Sequence, residues 1–309
     1  MNSKNKHLLV IAGPTAVGKT ATCMNLAKFF NTEIISADSR QFYREMDLGT
    51  AKPNQEELSA APHHFINSLS IFEDYDVKKF EQDTLSLLRD LFQNHDLVLM
   101  VGGSGLYIDA VCHGFDDIPD IDPSIRSQLI LDFNEKGIGY LQQKLAEEDP
   151  VYYDIVDKKN PQRLMRALEV CIGSGKPYSS FRKNKKDIRD FHIIKIGLER
   201  DREELYHRID QRMDLMIESG LFQEAEKLFP VRHLNSLQTV GYTEIFGFLE
   251  GKYDQNEAIR LLKRNSRRYA KRQLTWFKRI PDMKWFHPDH YVELLEYINT
   301  VVTQMDSKK

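Results

Sequence analysis

Eight consecutive residues constrain this chain more than any other stretch. Gly13-Pro14-Thr15-Ala16-Val17-Gly18-Lys19-Thr20 fills every fixed position of the pattern G-x-x-x-x-G-K-[ST]. The pattern has a physical meaning: backbone N–H groups at the mouth of a helix form an anion cradle, and the glycines let that backbone approach phosphate closely. Lys19 would neutralise phosphate oxygens, and the Thr20 hydroxyl would ligate Mg²⁺. The flanks fit, since residues 7–12 read as a short buried strand and residues 19–30 as a helix. The loop predicts a bound phosphate without saying whose.

Further apolar runs at residues 8–12, 33–36, 97–101 and 192–198 have the length and aliphatic content of buried parallel strands. Helical patterns such as residues 77–93 separate them, which predicts an α/β doubly wound parallel sheet. Ligands of such sheets sit beyond the carboxyl ends of the strands. Three segments should therefore converge: the phosphate loop, Ala37-Asp38-Ser39-Arg40, and Gly102-Gly103-Ser104-Gly105-Leu106-Tyr107. From Asp116 the pattern changes to a turn-rich acidic hinge followed by helical stretches. Residues 120–190 are expected to form a helical insertion, with residues 1–119 and 191–309 as the core. Asn160-Pro161 should begin one helix, with Asn as N-cap and Pro in the first turn. Asp201 and Glu204 have capping-box spacing, and Gly220 is placed to end the helix they begin. The chain then reads as helical to about residue 280, and residues 307–309 should fray.

Composition narrows the class. A hydrophobic content of 41% supports an ample core. The three cysteines (Cys23, Cys112, Cys171) are far apart with no C-x-x-C pair, which suggests a reducing compartment and argues against a zinc module. No secretory signal and no membrane-spanning stretch is apparent, so a cytoplasmic protein is expected, and a monomer.

Several residues carry chemistry. Asp38 follows the second strand run, where three roles are open: an outer ligand of Mg²⁺, a general base, or a helix N-cap. The run at 97–101 ends in Gly102-Gly103 without the Asp that often holds Mg²⁺ in nucleotide-hydrolysing proteins, which weakens an ATPase reading. The glycine pair means either a close backbone approach or a plain strand-to-helix turn. Arg208 and Arg212 share a helix face and suit a diphosphate or triphosphate, unless Glu204, Asp210 or Asp214 pairs with them on a solvated face.

Residues 260–280 hold nine basic residues and no acidic one: Arg260, Lys263, Arg264, Arg267, Arg268, Lys271, Arg272, Lys278 and Arg279. Leu262, Tyr269 and Trp276 recur every seven residues on what should be the buried side. In a chain of net charge −3 this one-signed run points to a polyanion such as nucleic acid rather than an ordinary solvated face. Residues 158–189 add ten basic and two acidic residues, with Arg163 and Arg166 three apart on one helix. A small phosphate pocket beside two polyanion faces suggests that a phosphate compound reacts with a nucleic acid.

These motifs, together with Asp38-Ser39-Arg40-Gln41-Phe42-Tyr43, Gly49-Thr50-Ala51-Lys52-Pro53, Asn160-Pro161-Gln162-Arg163-Leu164-Met165-Arg166, Gln238-Thr239-Val240-Gly241-Tyr242 and the stretch from Tyr269 to Phe277, resemble the tRNA dimethylallyltransferases. They span nearly the whole chain in family order. The resemblance implies a P-loop kinase-like core that transfers a dimethylallyl group from dimethylallyl diphosphate to N6 of the adenosine just 3′ of the tRNA anticodon. The phosphate loop, with Arg208 and Arg212, would then hold a diphosphate. It implies catalytic roles for Asp38 (the base), Lys19, Thr20 with Mg²⁺, Arg212 and Ser104. It implies tRNA contacts at Asp38, Ser39, Arg40, Gln41, Ser104, Arg126, Gln162, Arg163, Leu164, Met165, Arg166, Arg267, Lys271, Arg272 and Gln273.

The family commonly has Thr where Ser104 stands, which keeps the hydroxyl, and the zinc finger of eukaryotic members is not found, which favours the bacterial type. Three rivals share parts of the pattern: an adenylate isopentenyltransferase acting on free AMP or ATP, a P-loop kinase of small metabolites, and a non-catalytic RNA-binding NTPase. The first needs neither the insertion nor the basic C-terminal helix, so tRNA is preferred.

Overall fold

The computed structural model describes residues 5–182 and 187–307. Lys183, Lys185 and Lys186 of the second basic stretch, and Lys308 and Lys309, lie outside those residues. Two compact units form, Met1–His113 with Ile188–Lys309, and Gly114–Asp187. The division falls at 113/114 rather than the expected 119/120, and the return at 187/188 rather than 190/191. Gly114 opens the second unit with φ +88°, and a Cβ there would lie 2.4 Å from the Asp187 carboxylate.

The first unit is built on six parallel strands, β1 (His7–Ala12), β2 (Ile34–Ser36), β3 (His63–His64), β4 (Leu97–Gly102), β5 (His192–Leu198) and β6 (Lys284–Phe286), in the order β3-β2-β4-β1-β5-β6. The doubly wound α/β sheet expected from the sequence is the one found. Strand β3, which follows the short helix α2 (Gln55–Ala60), and strand β6 were not foreseen; they are short edge strands without an apolar run. In central β1 every residue is buried. Leu9 and Ile11 join one core with α1 (Lys19–Phe30), α8 (Arg202–Glu218) and α12 (Tyr291–Ser307). Leu8 and Val10 join another with α3 (Val77–Leu91) and α4 (Gly105–His113). This alternation is the pleat expressed in packing, and each such side chain contributes about 1.5–3 kcal/mol of burial. β2 and β5 lie on opposite sides of β1, so the winding reverses at the carboxyl end of β1, where Gly13 begins the loop.

A third core lies around α8, α9 (Leu221–Leu228), α10 (Thr243–Leu249) and α11 (Gln255–Phe277). It explains two motifs. Tyr242 is fully buried, a Cβ at Gly49 would lie 2.3 Å from its ring, and Glu224 accepts from the N–H groups of Asp47, Leu48 and Gly49 and from the Tyr242 hydroxyl. At α8, Asp201 is the N-cap residue but makes no side-chain capping bond, and the Glu204 side chain pairs with Arg200.

The second unit packs α5 (Pro123–Glu148, bent at Gly137), α6 (Pro150–Ile155) and α7 (Pro161–Ser174) around Leu129, Leu141, Leu145, Leu164, Met165 and Leu168. Each helix opens with an Asp or Asn cap followed by Pro, and Asn160 accepts from the Arg163 N–H at 3.2 Å. Leu164 and Met165 are 0% and 2% exposed, so their side chains are core and are withdrawn from the RNA-contact set.

Candidate active site

The phosphate loop owes its shape to its neighbours. A Cβ at Gly13 would come within 2.7 Å of the Leu198 carbonyl, and Gly18 takes φ +115°, which favours glycine. Ahead of α1 the backbone turns so that Lys19 folds over its own loop, donating to the carbonyls of Gly13 at 3.0 Å and Pro14 at 2.8 Å. Burial brings the Lys19 ammonium down to about 8; Asp38 opposes the shift and Arg212 adds to it. From α8, Arg212 donates to the Thr15 hydroxyl, and Arg208 Nε donates to the Ala16 carbonyl at 2.9 Å. Burial also pushes Arg212 below its ordinary value, with Asp38 opposing and Arg208 reinforcing. Both arginines thus reach the loop rather than the acidic residues of their own helix. Loop, α8, Asp38, Gln41, Tyr269 and Gln273 line one cavity of about 440 Å³. Lys19 and Arg212, both half-buried, share it with Asp38, the carboxylate that acts on both, while Glu57 lies elsewhere on the wall; a bound anion would complete the pair of cations.

Asp38 caps no helix. The segment after β2 is a turn, and Asp38 Oδ1 accepts the Arg40 N–H at 3.0 Å. The Ser104 hydroxyl accepts the Ser39 N–H at 3.0 Å, so Ser104 braces the turn that presents Asp38. The close approach expected at Gly102-Gly103 is to protein. A Cβ at Gly102 would lie 2.2 Å from the Ala37 carbonyl, and one at Gly103 would lie 2.2 Å from Gln273 Nε2. The Gln41 amide is engaged within the protein, with Ser36, Thr50 and Ala51 as partners, which removes it as a free RNA contact.

The basic helix α11 is less one-signed than its sequence. Arg260 pairs with Glu257, Lys263 with Asp214, Arg267 with Asp210 through both carboxylate oxygens, and Lys278 with Glu199. Three of these four partners come from outside the helix. Arg267 is therefore an α11–α8 tie. Arg268, Lys271, Arg272 and Arg279 remain exposed, with no ion-pair partner among the described residues. Of the seven-residue stripe only Leu262 is fully buried; Tyr269 lines the cavity. Gln273 is 6% exposed and hydrogen-bonded at both ends of its amide, so it grips no RNA.

In the second unit Arg126 bonds Glu169 and Gln162, and Arg166 pairs with Glu169 at 3.3 Å, while Arg163 is exposed without an ion pair among the described residues. Sequence reasoning missed Arg200. Its Nε donates to the Val17 carbonyl at 2.8 Å, and its guanidinium pairs with Glu204 and Asp289, bracing the loop from behind. It belongs to no motif, and only its place just after β5 could have drawn attention to it.

Comparison with known proteins bears on the family. The family model described as IPP transferase matches residues 41–280. The tRNA dimethylallyltransferase of Christiangramia forsetii is 51% identical over 299 residues, covering 96% of this chain and 99% of the relative. That of Flavobacterium johnsoniae is 49% identical over 308 residues, covering 98% and 99%. The tRNA isopentenylpyrophosphate transferase structure from Bacillus halodurans superposes with a TM-score of 0.72 at 38% identity, covering 97% of this chain and 98% of that one. A eukaryotic dimethylallyltransferase acting on tRNA gives 0.73 at 26% identity, covering 91% and 74%. The chain belongs to the IPP transferase family.

Proposed function

We propose that the chain transfers a dimethylallyl group from dimethylallyl diphosphate to N6 of the adenosine 3′-adjacent to the tRNA anticodon, releasing diphosphate. One observation carries the reading: half-buried Lys19 and Arg212 both feel the Asp38 carboxylate in one cavity at the mouth of α1. As the allylic C–O bond breaks, charge develops on the diphosphate, and the loop N–H groups, Lys19 and Arg212 stabilise it. The N6 nitrogen bonds to the allylic carbon and gives its proton to Asp38. To reach Asp38 the adenosine leaves its stack.

A divalent metal fits the donors present. Among the described residues no group of three His, Cys, Asp or Glu side chains is set to hold an ion. Mg²⁺, however, is commonly held by one or two protein oxygens together with substrate phosphates and water. The Thr20 hydroxyl lines the cavity and would supply the protein oxygen, leaving Asp38 free to accept the proton. When bound, the ion neutralises charge on the diphosphate.

Arg40, Lys271 and Arg272 of the first unit and Arg163 and Arg166 of the second would contact the anticodon stem-loop, which makes the helical unit an RNA-gripping insertion. Three free, buried cysteines suit a reducing cytoplasm, and the chain would act as a monomer. No helix among the described residues is long and apolar enough to cross a membrane. Incubation with labelled dimethylallyl diphosphate and either unmodified tRNA or AMP tests the reading. Label in tRNA alone supports it; label in AMP, or ATP hydrolysis without transfer, overturns it.

A further inference from the structure

Gln273 sits in the most basic stretch of the chain, yet its side chain turns inward. Its Oε1 accepts the Thr15 N–H at 2.8 Å, and its Nε2 donates to the Gly103 carbonyl at 3.0 Å. Each bond fixes a peptide plane, because a planar amide carries its N–H and C=O as one rigid unit. The first plane joins Pro14 to Thr15, and its other face is the Pro14 carbonyl that receives Lys19 Nζ at 2.8 Å. The second joins Gly103 to Ser104. Its N–H points to the Ala37 carbonyl at 3.4 Å, and the Ser104 hydroxyl braces the turn after Asp38. One amide therefore orients the peptide that seats the cavity's lysine and the peptide that leads into the brace for its carboxylate.

We propose that Gln273 is a positioning residue that holds Lys19 and Asp38 in mutual register. This deepens the proposed reaction and rests on it. Only an uncharged amide of this length both accepts from Thr15 and donates to Gly103. Gly103 admits that amide because it has no Cβ.

The test uses the full chain with Gln273→Met, which keeps length and removes both bonds, followed by calorimetric titration with inorganic diphosphate and steady-state kinetics for each substrate. Losing a buried hydrogen bond and leaving its partners unpaired should lower kcat and weaken diphosphate binding, each by about ten- to a hundredfold, with KM for tRNA unchanged. A merely structural role would lower the melting temperature and leave both quantities within about twofold, which would overturn the proposal. So would a change confined to KM for tRNA, which would make Gln273 an RNA contact.

If Gln273→Met does not fold, Gly103→Ala displaces the amide with a methyl group and should reproduce the profile. In a Gln273→Ala background the same methyl group meets no amide and should add nothing; an undiminished penalty there refutes the coupling. A wild-type chain that binds diphosphate but transfers nothing breaks the proposed reaction and leaves the diphosphate comparison to decide the role of Gln273. A chain that binds no diphosphate overturns both.

Discussion

The phosphate loop and helix α11 are both rich in positive charge, and they differ in what neutralises it. At the loop, Lys19 and Arg212 are half-buried, Asp38 is the carboxylate that acts on both, and desolvation lowers the pKa of each. On α11 and the two residues that follow it, nine basic residues occur with no acidic one among residues 260–280, but Arg260, Lys263, Arg267 and Lys278 already have carboxylate partners. Counting charges along the chain therefore misjudges both places. Two cations in a desolvated cavity attract an anion more strongly than many on a surface, because exposed charges are screened within about 8–10 Å by ordinary salt.

The comparison breaks most visibly at Asp38. Under the proposed reaction, Asp38→Asn removes the proton acceptor while keeping an oxygen for the Arg40 N–H. It should lower kcat by about 10²- to 10⁴-fold with tRNA affinity unchanged. Equal losses in rate and tRNA affinity would mean that the carboxylate builds the turn rather than serving the reaction. Removing one of the cavity's cations should cost somewhat less. Arg212→Ala is expected to lower kcat/KM for dimethylallyl diphosphate by about 10²- to 10³-fold. A loss below tenfold in steady-state kinetics would show that the cavity does not depend on Arg212 to receive an anion.

Lys19 sharpens the comparison through pH. Its pKa in the free protein is about 8, and a bound anion favours the ammonium, so binding raises that pKa. Affinity for the diphosphate should be level below about pH 8 and fall about tenfold per pH unit above it, until the pKa of the bound state is reached. Lys19→Arg, which stays charged, should flatten this alkaline limb in a calorimetric titration. A limb that survives the substitution belongs to another group.

What could be read from the sequence follows the range of the forces involved. Helix α1 was expected at residues 19–30 and is found as Lys19–Phe30, and the four central strands were each marked by their own apolar run. Asn160-Pro161 opened its helix as expected because a cap is a contact between near neighbours. Strands β3 and β6 could not be read this way, since His63–His64 and Lys284–Phe286 pair only because β2 and β5 offer free edges. The same limit hid the partners of α11: Asp210, Asp214 and Glu199 lie far from it in the chain. Gln273 was misassigned for a related reason. Its neighbours in sequence are basic and exposed, while its neighbours in space are Thr15 and Gly103.

The smallest effect belongs to α11 and discriminates between its own residues. Lys271 is exposed and without an ion pair among the described residues, so a tRNA phosphate at its side chain would release a counterion. Lys271→Ala should weaken tRNA binding modestly and reduce the slope of log affinity against log salt by about one. Arg260 is also exposed but pairs with Glu257 through two hydrogen bonds of 2.6 Å, and the pair is nearly neutral to an approaching phosphate. Arg260→Ala should therefore leave the salt slope unchanged within error, although the substitution removes the same formal charge. Equal slopes for the two variants would mean that net charge along the helix governs binding; a difference confined to Lys271 would mean that the local pairing does.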